Sequence, residues 1–201
     1  MLEQLLYSGK LGDGCLVHRA KTSVIKFSSK CLNYLIHKKV ILESNYIKTS
    51  SITYGKSGYT GKYNIAKFSS YSDLKIERVY NMTKVECIKS LDKIGLIYLF
   101  LDDGSLHKSA KFGNIYCNSF TDEEVEALID KIWELYPIKR CSKLYDKKKD
   151  GRCYPYIYIS KFTMKLFLKD ISEFVTKYNI TDMFYKADLP STTIPDGSTS
   201  K

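Results

Sequence analysis

The sequence predicts an α+β fold built from two similar halves, each running helix–strand–strand–helix–strand–strand–helix. Three observations carry this. A landmark, Leu11-Gly12-Asp13-Gly14-Cys15-Leu16, recurs as Leu101-Asp102-Asp103-Gly104-Ser105-Leu106, so that Asp13 and Asp103 stand 90 residues apart. Each copy follows a short apolar segment and opens a stretch of strand-like alternation. Past each copy, helical spacing and alternating runs come in the same order. A unit of 90 residues used twice accounts for nearly all of a 201-residue chain. The expected division is 1–89 for the first repeat and 90–189 for the second, with a disordered, Ser/Thr/Gly/Pro-rich tail over 190–201.

The elements follow in order. The two apolar segments ahead of Asp13 and Asp103 are leading helices that end in Asp-Gly, and Gly14 and Gly104 suit a helix exit, where a left-handed backbone is often wanted. Cys15 to Ser28 alternates in the manner of two short strands. Between Lys30 and Glu43, Leu32, Leu35, Ile36, Val40 and Leu42 give helical spacing with a basic outer face. Ile47 to Tyr54 and Tyr63 to Phe68 bracket Gly55, Gly58 and Gly61, a hairpin signature. Thr121 to Glu124 is a capping box ahead of an apolar stripe of Val125, Leu128, Ile129 and Ile132, and Pro137 closes that helix. Leu144 and Tyr154 to Ile159 flank a second, basic hairpin around Asp146 to Gly151. Phe162 to Tyr178 returns to helical periodicity; Trp133, Leu166, Phe167, Ile171 and Phe174 are assigned to core packing.

Charge points to a polyanionic partner. Lys plus Arg number 32 against 22 Asp plus Glu, a formal charge of +10. Seven basic and two acidic residues fall between Ile138 and Arg152, so this short stretch supplies half of the excess. Tyrosines interleave with these cations, as they do around Lys56 and Lys62, and Tyr/Lys/Arg surfaces suit phosphate and base contacts. Other classes are excluded. The longest strongly apolar run, Ile94 to Leu101, is eight residues, whereas a membrane span needs about 20. The Met-Leu-Glu-Gln start shows no basic region ahead of an apolar stretch, so no secretory signal is expected. Six cysteines without a C-x-x-C pair, and three scattered histidines, do not make a zinc site; they read as reduced thiols of an intracellular protein. Gly55-Lys56-Ser57 is no phosphate loop, because Ser50 stands where glycine is required and no helix follows.

The repeated Asp-Gly carries the chemistry. If the halves face each other across a pseudo-twofold axis, the leading helices pack side by side and Asp13 and Asp103 converge. Two carboxylates at the negative ends of two helix dipoles are unfavourable by themselves. Bound Mg²⁺, or another divalent cation such as Mn²⁺, would neutralise both, since hard cations prefer oxygen ligands. Such ions, held between carboxylates and phosphate oxygens, can activate water and stabilise the leaving oxygen in phosphodiester cleavage.

At these residues the chain resembles a known family. The run from Leu96 to Gly104 is similar to the second signature helix of single-chain LAGLIDADG homing endonucleases, and Leu6 to Gly14 is similar to the first. Ser119 to Val125, Tyr156 to Ser160, and Met183 to Lys186 with Pro190 beyond match the family's downstream pattern, so the resemblance spans roughly residues 2 to 190. Lys10 departs from it, standing where an apolar residue is usual, and Ser8 replaces a small glycine at the helix contact; Ser8 and Gly9 still permit close approach. The resemblance implies two αββαββα repeats whose four-stranded sheets form a DNA-binding saddle, with Asp13 and Asp103 holding catalytic divalent ions. It implies a monomer that cuts both strands of a long site in double-stranded DNA across the minor groove, leaving short 3′ overhangs. It also implies a basic residue near each centre: Lys186 in the second half, and Lys75 in the first, with Arg78 as the substitute. An intracellular setting, in the cytoplasm of a bacterial or phage-infected cell or an organelle matrix, is implied as well.

On the saddle, strand residues of one parity face the DNA. The expected readers are Arg19, Lys26, Lys48, Tyr54, Lys56 and Lys62 in the first half, and Lys108, Lys111, Arg140, Lys143, Lys147 and Arg152 in the second. Arg bridges guanine O6 and N7, while Lys more often sets register through phosphate; a slip of one residue in a strand reverses its exposed face. Two rival readings stay open: an intron RNA maturase on the same fold, and a non-catalytic DNA-binding regulator. The intact acidic pair argues against the second.

Overall fold

The structure, a computed structural model, describes residues 1–19, 22–56, 64–137, 141–148 and 151–190. The first half contains α1 (Leu2–Leu11), β1 (Cys15–Arg19), β2 (Thr22–Ser29), α2 (Leu32–Ser44), β3 (Thr53–Lys56), β4 (Asn64–Ser69) and α3 (Leu74–Asn81). A short helix, α4 (Lys84–Lys89), leads into α5 (Lys93–Asp103), β5 (Gly104–His107), β6 (Phe112–Tyr116), α6 (Asp122–Leu135), β7 (Cys141–Lys147), β8 (Cys153–Ile159) and α7 (Lys161–Lys177). A 3₁₀ segment, Thr181–Lys186, follows. The two αββαββα repeats each build one four-stranded antiparallel sheet, in order β1-β2-β4-β3 and β5-β6-β8-β7. Residues 191–201 lie outside the described residues, so the expected tail is not described beyond Pro190.

Local signals set most boundaries. Asp92 caps α5 by accepting from the Gly95 amide at 2.9 Å, and Thr121 with Glu124 forms the expected capping box at α6. Three expectations need correcting. Ile47 to Ile52 is not strand: Ile47 is buried below an irregular segment whose ladder contact is the Thr49–Ser70 bridge, and β3 starts only at Thr53. The helix over Leu32–Ser44 is turned relative to its apolar pattern. Ile36 and Val40 are exposed, while His37 and Lys38 are buried with Tyr34 and Leu35. Leu166 is also outward, 41% exposed, although Phe167, Ile171 and Phe174 are core.

Alternation along the strands gives each sheet two faces. In the first sheet Ile25, Phe27, Ala66 and Phe68 point to the helices. The opposite, open face carries Cys15 opposite Lys26, Ser28 opposite Lys67, and Lys67 opposite Thr53, with Arg19 on the outer strand. In the second sheet Ile115, Ile157 and Ile159 face the core. Asn114 opposite Tyr158, and Tyr116 opposite Tyr156, lie on its open face.

Between the sheets, α1 and α5 pack along one another. Helix α5 is buried from Gly95 to Leu101, apolar all round because protein surrounds it. Gln4 of α1 ties the start of α5 in place, donating to the Ser90 carbonyl at 3.0 Å and accepting from the Asp92 amide at 2.9 Å. Lys10, the departure from the family pattern, has a structural role: its ammonium donates to the Val79 and Tyr80 carbonyls at 3.0 and 2.7 Å and to the Met82 carbonyl, closing the C-terminus of α3. Ser8 is wholly buried and satisfied by the Leu5 carbonyl. Gly9 serves its own sheet, since a Cβ there would lie 3.0 Å from Ile25 and 3.1 Å from Phe27.

The glycines after the two aspartates are needed for close approach, not for a left-handed exit. Neither Gly14 nor Gly104 has a positive φ; a Cβ on Gly14 would lie 2.4 Å from the Gly9 carbonyl oxygen, and one on Gly104 2.5 Å from that of Phe100. Gly14→Ala therefore forces backbone apart and is expected to cost about 2 kcal/mol or more in chemical denaturation. Gly55→Ala, whose Cβ would meet only the Lys67 ammonium at 3.9 Å, is the near-neutral comparison.

Candidate active site

Helix packing brings the two aspartates together. Asp13 lies in the turn after α1 and is exposed; Asp103 ends α5 and is partly buried. The bare Gly12 lets the two helix ends approach, since a Cβ on it would fall 2.5 Å from Asp103 Oδ2 and 3.4 Å from Asp102 Cβ. The Asp103 carboxyl is pushed up to about 7, first by burial and then by the negative charges of Asp13 and Asp102, against the pull of Lys186 and Lys38. Asp13 is raised too, by burial and then by Asp102, with Lys38 and Lys186 opposing.

Lys186 joins this group. It is buried at the end of the 3₁₀ segment and donates to the Leu101, Asp102 and Phe100 carbonyls at 2.7, 3.2 and 3.4 Å, so its charge sits at the negative end of the α5 dipole. Burial lowers its pKa, while Asp102, Asp13 and Asp103 all pull it up.

Sequence reasoning missed a second cation. Lys38, assigned to the basic outer face of α2, points inward and donates to Asp102 Oδ1 at 2.6 Å. Both side chains are shut away, 3% and 2% exposed. The Lys38 ammonium also lies over the Tyr34 and Phe27 rings, 4.3 and 4.7 Å from their centroids. Its neighbour His37 is held near a pKa of about 4 by burial, then by Lys38, and hydrogen-bonds the Tyr98 hydroxyl at 2.7 Å. The sequence held one clue: Asp102 closes an otherwise apolar run, and a carboxylate buried there needs a cation.

Asp13 opens onto solvent through two adjoining hollows. One, of about 260 Å³, is lined by Asp13, Asp102, Ser28, Lys30, Tyr185 and Lys186. The other, of about 430 Å³, runs from Asp13 across Lys26, Ser28, Thr53 and Lys67 on the open face of the first sheet. Lys30 and Lys67 are further cations at the site that the sequence reading did not select.

Lys75 and Arg78 lie elsewhere. Lys75 donates to the Asn45 carbonyl at 3.0 Å, and Arg78 pairs with Glu3 and donates to the Tyr7 hydroxyl at 3.3 Å. Both line a cleft with Met1 and Leu2, at the start of a ten-residue helix; at 1.5 Å per residue they sit about 15 Å along α1 from the Asp13 end. The two segments are not equivalent in the fold: Ser72 to Lys75 leads from β4 into α3, whereas Thr181 to Lys186 follows α7.

The expected DNA readers divide by strand parity. Arg19 and Lys26 lie on the open face. Tyr54 and Lys56 have the parity of Ala66, the helix side of the first sheet, because β3 begins six residues later than the pattern suggested. Lys143 and Lys147 also have helix-side parity, and Lys143 is held there by Glu126 and Asp122 of α6 at 2.7 and 3.5 Å. Lys48 is exposed in the segment after α2. Lys108 and Lys111 occupy the β5–β6 turn, Lys111 paired with Asp188 at 2.5 Å. Arg152 stands in the β7–β8 turn, 5.8 Å from the Tyr154 ring centroid. Lys62 and Arg140 lie outside the described residues.

Among the described residues no three His, Cys, Asp or Glu side chains are disposed as a metal cage. What remains once Lys38 has claimed Asp102 is a pair of adjacent, mutually repelling carboxylates. That donor set fits Mg²⁺ or Mn²⁺, since Mg²⁺ keeps several waters and takes one or two carboxylates with substrate phosphate.

The chain matches the model of the LAGLIDADG DNA endonuclease family over residues 8–167 and belongs to that family. No curated protein matches it. Among solved structures, the homing endonuclease I-WcaI bound to its DNA recognition sequence is 21% identical with a TM-score of 0.72, covering 94% of this chain and 86% of that one. I-DmoI in complex with DNA and Mn is 14% identical with a TM-score of 0.56, covering 85% and 95%. The N-terminal LAGLIDADG domain of DUF199/WhiA is 16% identical with a TM-score of 0.53, covering 85% and 82%. These likenesses share the fold with this chain. Among the described residues no helix is long and apolar enough to cross a membrane.

Two predictions follow from the site. Lys38→Met strands a buried carboxylate and is expected to cost about 3–5 kcal/mol, largely recovered in Lys38→Met/Asp102→Leu, by chemical denaturation. Asp103 holds its proton in the folded state between its ordinary pKa of 3.8 and about 7, so folding stability falls as pH rises through that window. Discounted for its partial exposure, Asp103→Asn should stabilise the metal-free protein by about 1–2 kcal/mol at pH 8 and by almost nothing at pH 4. Melting curves at the two pH values measure the difference.

Proposed function

We propose that this protein is a site-specific double-strand DNA endonuclease that uses a divalent cation, and that Asp13 and Asp103 hold that cation. The observation that carries the reading is the meeting of these two carboxylates at the end of the α1–α5 contact, with Asp13 opening onto the basic face of the first sheet. A folded protein gains nothing by driving two carboxylates together, one of them partly buried, unless a cation joins them. When bound, a divalent ion there supplies charge neutralisation for a scissile phosphate and lowers the pKa of water.

The chain's own residues have separable tasks. Lys38 cancels Asp102, leaving two negative charges at the site. Lys186, at the same helix end, sets a fixed positive charge beside the position of the phosphate, where negative charge develops during cleavage. Arg19, Lys26 and Lys67 offer phosphate and base contacts to a duplex on the open face. One chain carries both halves, so a monomer presents the full pair; short 3′ overhangs are the expected product. I-WcaI and I-DmoI, both described with DNA, support this reading, as does manganese with the latter. The acidic pair favours cleavage over a purely regulatory DNA-binding role, and an intron-splicing assay separates a maturase from both.

Incubating the protein with randomised duplexes and Mg²⁺, then sequencing cut ends, tests the proposal and reports site and overhang together. Asp13→Asn and Asp103→Asn should each lower double-strand cleavage at least about 100-fold, since even lost outer-shell partners cost 10–100-fold at metal sites, with DNA binding retained in a mobility-shift assay. Full double-strand cleavage by both variants would refute the assignment.

A further inference from the structure

The two open sheet faces differ in chemistry more than their shared fold requires. Across the described strands of the first sheet, the open face carries three cations, Arg19, Lys26 and Lys67, and no acidic residue. On the second sheet the two central strands present Phe112, Asn114 and Tyr116, and Tyr154, Tyr156 and Tyr158. None of these is charged. The rings pair across the two strands: Phe112 lies 5.2 Å from Tyr158, and Tyr116 lies 6.2 Å from Tyr156, centroid to centroid. His107 stacks on Phe112 at 4.1 Å, and Leu144 extends the patch opposite Tyr156. Tyr116 and Leu144 are 39% and 41% exposed and Phe112, Tyr154, Tyr156 and Tyr158 are half-buried, so the rings reach solvent around a buried Asn114. The patch's one strand carboxylate, Asp146, is engaged by Lys148 at 2.5 Å. Second-half cations stand instead at its margins, Lys108 and Lys111 in one turn and Arg152 in the other.

We infer that the second sheet reads its half of the target through thymine methyl groups, whereas the first sheet reads its half through charged hydrogen bonds. This deepens the proposed function and rests on it. The aromatic patch is continuous with the site: β5 starts directly after Asp103, as β1 starts just past Asp13, so a duplex held at the aspartates runs across both faces. In the major groove the thymine C5-methyl is the apolar feature of the base edges, and aromatic or aliphatic side chains are its natural contacts. The tyrosine hydroxyls add hydrogen bonds at the rim of each ring. Marginal lysines and Arg152 then hold phosphates on either side of an apolar centre.

The test begins with duplexes enriched by binding to the full chain, sequenced to define the site. Each half-site is then rebuilt with deoxyuridine for thymine, which deletes only the methyl groups. The expected result is a loss of affinity of about four-fold per contacted thymine in one half-site, the value of one buried carbon, and less than two-fold in the other. Tyr116→Ser and Tyr156→Ser, each with an unchanged melting curve, should abolish the uracil effect and relax sequence preference in that same half. Lys67→Ala should relax the opposite half and flatten the salt dependence. An equal uracil effect in both halves, no effect in either, or an effect surviving both tyrosine variants would overturn the inference while leaving DNA cleavage in place. Tighter binding to the single strand than to the duplex would overturn it in favour of base stacking on the rings. Failure to enrich any duplex would overturn it together with the proposed function.

Discussion

The close meeting of α1 and α5 is the constraint on which the rest of the molecule depends. It needs residues without side chains on both helices, where Gly12 at the end of α1 admits the Asp103 carboxylate and Gly95 at the start of α5 leaves room for Gln4. It needs a tether at the opposite end, which Gln4 provides. The electrostatic consequence is adverse: two helix C-termini and three aspartates crowd one small region. The fold answers with two cations of different kinds. Lys38 is a wholly buried partner to a single carboxylate, and Lys186 is a donor to three backbone carbonyls that faces all three aspartates. Neither removes the repulsion between Asp13 and Asp103, which leaves the proton on Asp103 held up to about pH 7. That residual repulsion is what the proposed cation would relieve.

The surrounding architecture carries this point outward. Each leading helix passes directly into the outer strand of its own sheet, so the acidic centre lies where the two open faces begin. The helix-side residues, Ile25, Phe27, Phe68, Ile115, Ile157 and Ile159, are fixed by the core. Their alternates have no packing duty, which leaves the open faces free to take on different chemistries in the two halves.

Much of the fold was legible because duplication writes the same pattern twice. The recurrent Leu–Asp–Gly landmark located both leading helices, and the capping box at Thr121 and the periodicity of α7 placed two more. What failed had a common cause: the deciding partner was distant in sequence. Ile36 and Val40 look like a buried stripe, yet the requirement to neutralise Asp102, 64 residues from Lys38, turns α2 so that lysine and histidine go inward. The parity of Tyr54 and Lys56 turned on where β3 begins, which is set by pairing with β4 and not by local alternation. At the site itself, Asp13, Asp103 and Lys186 stood in recognisable motifs. Lys75 did not come near them, because its segment enters α3 from a strand, whereas the similar segment ending at Lys186 comes after the last helix, α7.

Joining both halves in one polypeptide has a geometric consequence. A protein assembled from two identical copies imposes its twofold axis on whatever it grips, and its DNA targets tend to be palindromic. Here the axis relates backbones but not surfaces, since three cations stand on one sheet where rings stand on the other. A duplex gripped as proposed would be distinguished end from end and held in a single polarity, with each strand meeting a fixed member of the aspartate pair.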